Sequence, residues 1–145
     1  MKLKKYIEPV TWLLISSFCG CVVCYFTYPH LITMSLTDQR DVGKVIISLF
    51  GTFLGFLFTL LAIIASLSSH QLIKNMTVTG HYTNLMLSSK ILSSLLFTVI
   101  ATYLATLFFI APQLFAWATS LTVLTMAFGC RTIYKFFLVL NNLHS

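Results

Sequence analysis

Four continuous apolar stretches, separated by short polar segments, run along this chain. They cover about residues 9–28, 44–69, 88–111 and 113–134. The apolar positions are continuous rather than alternating, which favours helices over membrane strands. Because about 20 apolar residues cross a hydrocarbon core ~30 Å thick, each stretch is long enough for a transmembrane helix. The pattern predicts an all-α integral membrane protein, residues 1–145 forming a single antiparallel bundle of four transmembrane helices.

The connections between the stretches differ in length and in turn chemistry. Residues 29–43 predict an outside loop, in which Ser35 or Thr37 starts a short helix. Residues 70–87 predict the largest cytoplasmic loop, with two short helical stretches that meet at Gly80. The last connection is tight and is broken by Pro112. Residues 135–145 are predicted to form a cytoplasmic tail.

Composition supports the membrane assignment. The chain is 58% apolar and only 8% charged, whereas an average soluble domain has about a quarter of charged residues. Its formal net charge is +6, and most cations flank the apolar stretches, which indicates topology signals and contacts with anionic lipid. No basic run with interleaved aromatic residues follows, which argues against direct binding of nucleic acid.

The distribution of Lys and Arg predicts the orientation. Cations precede the first stretch, occupy the 70–87 loop and follow the fourth stretch, while the two remaining loops are neutral in sum. The positive-inside rule therefore places both termini in the cytoplasm. A secretory signal peptide ending near Cys21 is the alternative, but Val22 and Val23 continue the apolar stretch and disfavour it.

A row of small residues repeats at helical spacing along the second stretch. Its spacings of three and four keep all six positions on one helix face, and Gly51 and Gly55 form a GxxxG pair that lets two backbones approach closely in lipid. We interpret the row as a helix-packing face inside the chain, with self-association between subunits as the alternative. Its members are Ser48, Gly51, Gly55, Thr59, Ala62 and Ser66.

Arg131 and Lys135 lie one helical turn apart at the end of the fourth stretch, just before the apolar segment "FFLVL". The favoured interpretation is that both cations snorkel to the cytoplasmic edge, while Phe136 and Phe137 pack under the bundle or onto a partner. The alternative places the cations in a cavity, where an oligomer would present a ring of positive charge.

Chemistry-bearing motifs are weak in this sequence. "CGCVVC", Cys19 to Cys24, contains a Cys-x-x-Cys pair, but a bilayer core opposes the thiolate charge that metal binding requires. We interpret these thiols as packing residues, in a row of Ser16, Gly20 and Cys24 that brings the first helix close to a neighbour. No metal set, cofactor motif, nucleophile elbow or intramembrane carboxylate is present. An enzyme is therefore not predicted, and no cofactor is expected.

The segment "IIASLSSHQLIKNMTVTGHYTNLM" resembles small multi-helix membrane proteins of bacterial anti-phage defence systems. In that pattern a helix ends in Ala-Ser, a short amphipathic stretch follows, and Gly-x-Tyr-x-x-Leu leads into the next helix. The matching positions here are Ala65, Ser66, Ile73, Gly80, Tyr82 and Leu85. The resemblance implies a membrane effector or sensor that works beside a soluble cytoplasmic partner.

The leading hypothesis is thus a small homo-oligomeric inner-membrane protein acting as a defence-type membrane effector or sensor. Its expected partners are the lipid bilayer, other copies of itself and a cytoplasmic protein. A membrane anchor or regulatory subunit of a larger complex is the alternative. A small channel or transporter fits least, because no Asp or Glu lies within the membrane-embedded part of the apolar stretches, where ion-coupled transport would use a carboxylate.

Overall fold

The computed structural model describes residues 4–66, 81–109 and 112–141. Within these ranges the chain forms four helices: α1 (Lys4–Thr33), α2 (Leu36–Ser66), α3 (His81–Phe108) and α4 (Pro112–Asn141). They contain from 28 to 31 residues, and each is long and apolar enough to cross a membrane. The predicted all-helical architecture with four such helices is therefore confirmed.

The predicted loop over residues 29–43 is wrong, because only Met34 and Ser35 separate α1 from α2. The Ser35 hydroxyl accepts a hydrogen bond from the Asp38 backbone N–H at 3.2 Å, which caps the start of α2. The Gln39 side-chain amide donates to the Met34 carbonyl at 3.1 Å. The charged residues that suggested a loop lie on the exposed side of the first turns of α2, where Lys44 pairs with Asp41 at 2.9 Å.

Two other helix ends also extend past the predicted boundaries. α3 begins at His81 rather than near residue 88, because Leu85 packs into the core. α4 continues to Asn141 rather than ending near residue 134, because Phe136 and Val139 are buried one turn apart. The segment predicted as a tail from residue 135 is thus mostly helix, and residues 142–145 lie outside the described residues.

The helices pack in the spatial order α2, α3, α4, α1, with neighbours antiparallel. α1 packs against α4 and only lightly against α3, while α1 and α2 make almost no contact although they are consecutive in the chain. The buried apolar cluster is built entirely from α2, α3 and α4. These three helices meet at Gly129, where an added Cβ would lie 3.5 Å from Leu92 and 3.8 Å from Phe53.

α1 is held at the edge of this three-helix core by a close contact with α4. A Cβ added to Gly20 would lie 2.8 Å from the Ser120 carbonyl oxygen. Ser16 is buried one turn away, and the Cys24 thiol donates to the Ala116 carbonyl at 3.7 Å. The predicted packing row of Ser16, Gly20 and Cys24 is therefore confirmed.

Candidate interaction surfaces

The small-residue face of α2, defined by the six-residue row, points away from the core. All six of its residues are exposed. Gly55 precedes the buried Ile64 by nine residues, which at 100° per residue places it about 180° from Ile64 around the helix. The large side chains of α2, among them Phe50, Leu57 and Ile64, form that buried side.

The two glycines of this face have open space in front of them. Among the described residues, no atom lies within 4 Å of a Cβ added to Gly51 or Gly55. The interpretation of the row as internal packing is therefore wrong. The physical reason is that the opposite face of α2 offers large side chains to fill the space between three helices, whereas small side chains would leave cavities there. Self-association through the face stays a prediction.

Three hydroxyl groups on or beside this face are satisfied within α2 itself. Thr52 donates to the Ser48 carbonyl at 3.0 Å and Thr59 to the Gly55 carbonyl at 3.0 Å, while Ser66 donates to the Ile63 carbonyl at 2.7 Å. Such bonds to the preceding turn remove the need for a polar partner. The face is consequently compatible with an apolar surrounding and with the backbone of a second helix.

Arg131 and Lys135 lie on the side of α4 that faces α1. The guanidinium carbon of Arg131 sits 4.7 Å from the centroid of the Trp12 ring, a cation–π geometry. Both cations are half-buried, and both make additional interactions. Within the described structure they follow the seam between α1 and α4 rather than the core of α2, α3 and α4.

Phe136 and Phe137 are neighbours in sequence but occupy opposite environments. Phe136 is 1% exposed within the core, whereas Phe137 is 61% exposed on the outside of α4. Tyr134 and Leu138 are also exposed on this end of α4. The apolar segment "FFLVL" therefore has two roles: part of it completes the core, and part of it forms an outer apolar surface.

A buried polar cluster between α3 and α4 escaped the sequence reasoning. Tyr103 is fully buried, and its hydroxyl lies 3.3 Å from the Thr122 hydroxyl and 3.5 Å from the Thr119 hydroxyl. Its ring packs edge-on against Phe115 at 5.8 Å. A tyrosine in the middle of an apolar stretch, with two threonines three residues apart on the next stretch, was the available signal.

No metal centre emerges in the described part of the chain. No group of three or more His, Cys, Asp or Glu side chains lies close enough together there to hold an ion. The four cysteines are free thiols, and His30 is exposed. His70, His144 and the side chain of His81 fall outside the described residues.

Comparisons of the chain with protein-family models, with curated proteins and with solved structures found no match. Similarity therefore assigns no family to it.

Proposed function

We propose that this chain is a multi-pass protein of the bacterial inner membrane that self-associates through the small-residue face. In this proposal it acts as a defence-type membrane effector or sensor beside a cytoplasmic protein partner. Four long apolar helices support the membrane placement. The exposed glycines of α2 support the self-association, and the resemblance over residues 65–85 supports the defence context. Of the residues that carry the resemblance, Ile73 and Gly80 lie outside the described ones.

A bilayer position that spans Leu114 to Tyr134 on α4 agrees with the packing of the helices. The twenty residues after Leu114 on α4 rise about 30 Å and end at Tyr134, which matches the thickness of a hydrocarbon core. Trp117 then lies about 4.5 Å inside one boundary, and Arg131 lies about 4.5 Å inside the other. Since Trp12 contacts Arg131, both tryptophans occupy the depth that is typical of interfacial aromatic belts.

The charges support cytoplasmic termini. The four charged residues near the connection between α1 and α2 sum to zero: Asp38, Arg40, Asp41 and Lys44. The rest of the chain therefore carries the net charge of +6. Of its described cations, Lys90, Arg131 and Lys135 lie near the end of the bundle where α3 begins and α4 ends, and the positive-inside rule places this end in the cytoplasm. A C-terminal green fluorescent protein should fluoresce, and a C-terminal alkaline phosphatase should be inactive. The reverse result would contradict the orientation.

The observation that carries the self-association is the open space in front of Gly51 and Gly55. Glycine inside a helix costs about 0.5–1 kcal/mol relative to alanine, and here no contact within the described chain offsets that cost. Close backbone contact with a second helix offsets it in lipid, where apolar burial alone gives no advantage. A second copy of the same face provides such a contact, because the face is complementary to itself in a two-fold arrangement.

Substitution of a single glycine tests this assembly. Gly55→Leu should convert the oligomer to a monomer, since a leucine side chain separates the two backbones. Ala101→Leu on the exposed side of α3 is the matched control, because it adds similar bulk to another outward helix face. Stepwise photobleaching of fluorescent fusions in nanodiscs counts the subunits. An unchanged count for Gly55→Leu, or an equal loss for both variants, would overturn the proposal.

The effector role has its own measurement. Inducible expression of the wild-type chain should lower the membrane potential, as reported by a potential-sensitive dye, and Gly55→Leu at equal abundance should not. The anchor alternative is favoured by the exposed Phe137 and Leu138, which offer a docking surface for a soluble protein. It predicts an intact membrane potential for both chains, and that result would reject the effector role while leaving the assembly untouched.

A further inference from the structure

We propose that the inner end of the seam between α1 and α4 is a binding site for the phosphate headgroup of an anionic phospholipid. Arg131 and Lys135 are the contacting cations, and Trp12 forms the aromatic wall of the site. The inference rests on the membrane placement proposed above, because the site lies at the cytoplasmic boundary of that slab.

The geometry places two cations and an indole at one point on the membrane boundary. Arg131 stacks on Trp12 with 4.7 Å between the guanidinium carbon and the ring centroid. Lys135 follows Arg131 by four residues, so both side chains leave the same face of α4. At about 4.5 Å inside the boundary, a snorkelling Arg131 brings its charge to the height of the lipid phosphates.

A guanidinium can hold a phosphate and still keep other partners. It carries five N–H donors in one plane, and a ring that stacks on its face does not use them. Arg131 and Lys135 each make a further interaction, which a bound phosphate would share with them. Bidentate donation from the edge of a guanidinium matches the oxygen spacing of a phosphate.

The site is also open to the lipid from the side. Trp12 is 42% exposed and Tyr134, near the mouth of the seam, is 64% exposed. A phospholipid can thus approach within the leaflet, with its headgroup at the cations and its acyl chain along the rings. No part of the three-helix core has to open for this approach.

Charge complementarity selects an anionic lipid as the occupant. Outside residues 38–44 the chain has seven Lys and Arg and a single acid, Glu8, which sum to +6. Asp38 and Asp41 lie in the first turns of α2, at the end of the bundle opposite to Arg131. The cytoplasmic leaflet carries the anionic phospholipids, whose attraction to each nearby Lys or Arg is appreciable. A zwitterionic headgroup offers no such net attraction.

Lys90 provides a matched control for simple surface charge. It is exposed on α3, and it lies at the height of Arg131 because Leu92 packs against Gly129. Lys90→Gln removes the same charge at the same depth as Arg131→Gln, but from the helix that does not form the seam. If the seam is a specific site, Arg131→Gln must lower the selectivity for the anionic lipid more than Lys90→Gln does.

Quenching of Trp12 by brominated lipid measures occupancy directly. Trp117→Phe leaves Trp12 as the single tryptophan. This variant is reconstituted into phosphatidylcholine vesicles that contain increasing fractions of brominated phosphatidylglycerol or of brominated phosphatidylcholine. Quenching is normalised within each variant, because loss of the stacked cation changes the emission of Trp12 itself.

We expect Trp12 to select phosphatidylglycerol over phosphatidylcholine by about fivefold for each contributing cation. Arg131→Gln and Lys135→Gln should each remove about one such factor, while Lys90→Gln should change the selectivity less than twofold. Inorganic phosphate in the buffer should not compete if the headgroup in the leaflet is the ligand.

Three results would overturn the site: equal quenching by both lipids, an equal loss in Lys90→Gln, or competition by inorganic phosphate. Failure of the membrane placement gives a different result, the absence of quenching by either brominated lipid. The two failures are therefore distinguishable within one experiment.

Discussion

Replacement of Gly20 by alanine should destabilise the contact between α1 and α4. The added Cβ would lie 2.8 Å from the Ser120 carbonyl oxygen and 3.4 Å from the Cβ of Leu124. The first of these atoms belongs to the backbone, so it cannot rotate away as the end of a flexible side chain can. α1 and α4 must separate by about half an ångström to restore an ordinary van der Waals contact. This separation also lengthens the hydrogen bond from the Cys24 thiol to the Ala116 carbonyl.

Two opposing contributions set the change in the free energy of unfolding that Gly20→Ala causes. Alanine in a helix is favoured over glycine by about 0.5–1 kcal/mol. Overpacking of a close interface costs about 1–3 kcal/mol. The free energy of unfolding should therefore fall by about 1 kcal/mol. Gly55→Ala is the matched control, because its Cβ meets no described atom within 4 Å. In a dilute monomer this variant should gain about 0.5–1 kcal/mol.

Titration from a mild detergent into dodecyl sulfate, followed by tryptophan emission, reports the unfolding of both variants. Protein must be dilute enough for monomers, so that any oligomer contact at Gly55 does not enter the comparison. The reasoning is refuted if Gly20→Ala is as stable as the wild type or more stable. It is also refuted if both alanine variants shift in the same direction by the same amount.

Two further substitutions test the core by the same titration. Phe136→Ala should lower the free energy of unfolding by about 2 kcal/mol because of the cavity it leaves, since transfer of the side chain into lipid contributes little. Phe137→Ala should change it by no more than about 0.5 kcal/mol. Equal effects of the two variants would contradict the opposite burial of these neighbours. Tyr103→Phe should cost only about 0.6 kcal/mol, because Thr119 and Thr122 keep their bonds to carbonyls of their own helix at 2.9 Å; a loss several times larger would show that the threonines depend on the tyrosine hydroxyl.

The number and type of helices were predictable, because hydropathy over about 20 residues is a strong local signal. The close approach of α1 was predictable for a similar reason. Gly20 has small residues one turn before and one turn after it. A glycine inside a helix destabilises the helix unless a close contact compensates, and close packing was the correct interpretation here.

Which face of α2 turns inward was not predictable from the small residues. A row of small side chains and a row of large ones compete for the interior, and the outcome depends on the volume that the neighbouring helices leave open. Between three helices that volume is large, so Phe50 and Leu57 filled it. Between only two helices, α1 and α4, that volume is small, so Gly20 lies at the contact.

The polar stretch over residues 38–44 misled for another reason. A high density of charged residues is typical of a loop, but here Asp38 and Asp41 lie on the exposed side of the first turns of α2. The cap at Ser35 was visible as a helix start, and only its consequence, a helix continuous with the apolar stretch, was missed.

The position of α1 also sets the order in which the molecule can be completed during synthesis. The Cys24 thiol and its acceptor on Ala116 are 92 residues apart in the chain, an interval that a ribosome covers in roughly 5 to 20 s. In the proposed membrane placement, α1 spends that time without α4, the helix that contacts its small residues. Two nascent chains made side by side can exchange α1 during this interval, and the two-residue connection to α2 limits how far the helix reaches. Arrival of α4 closes the interval and fixes which copy each α1 belongs to.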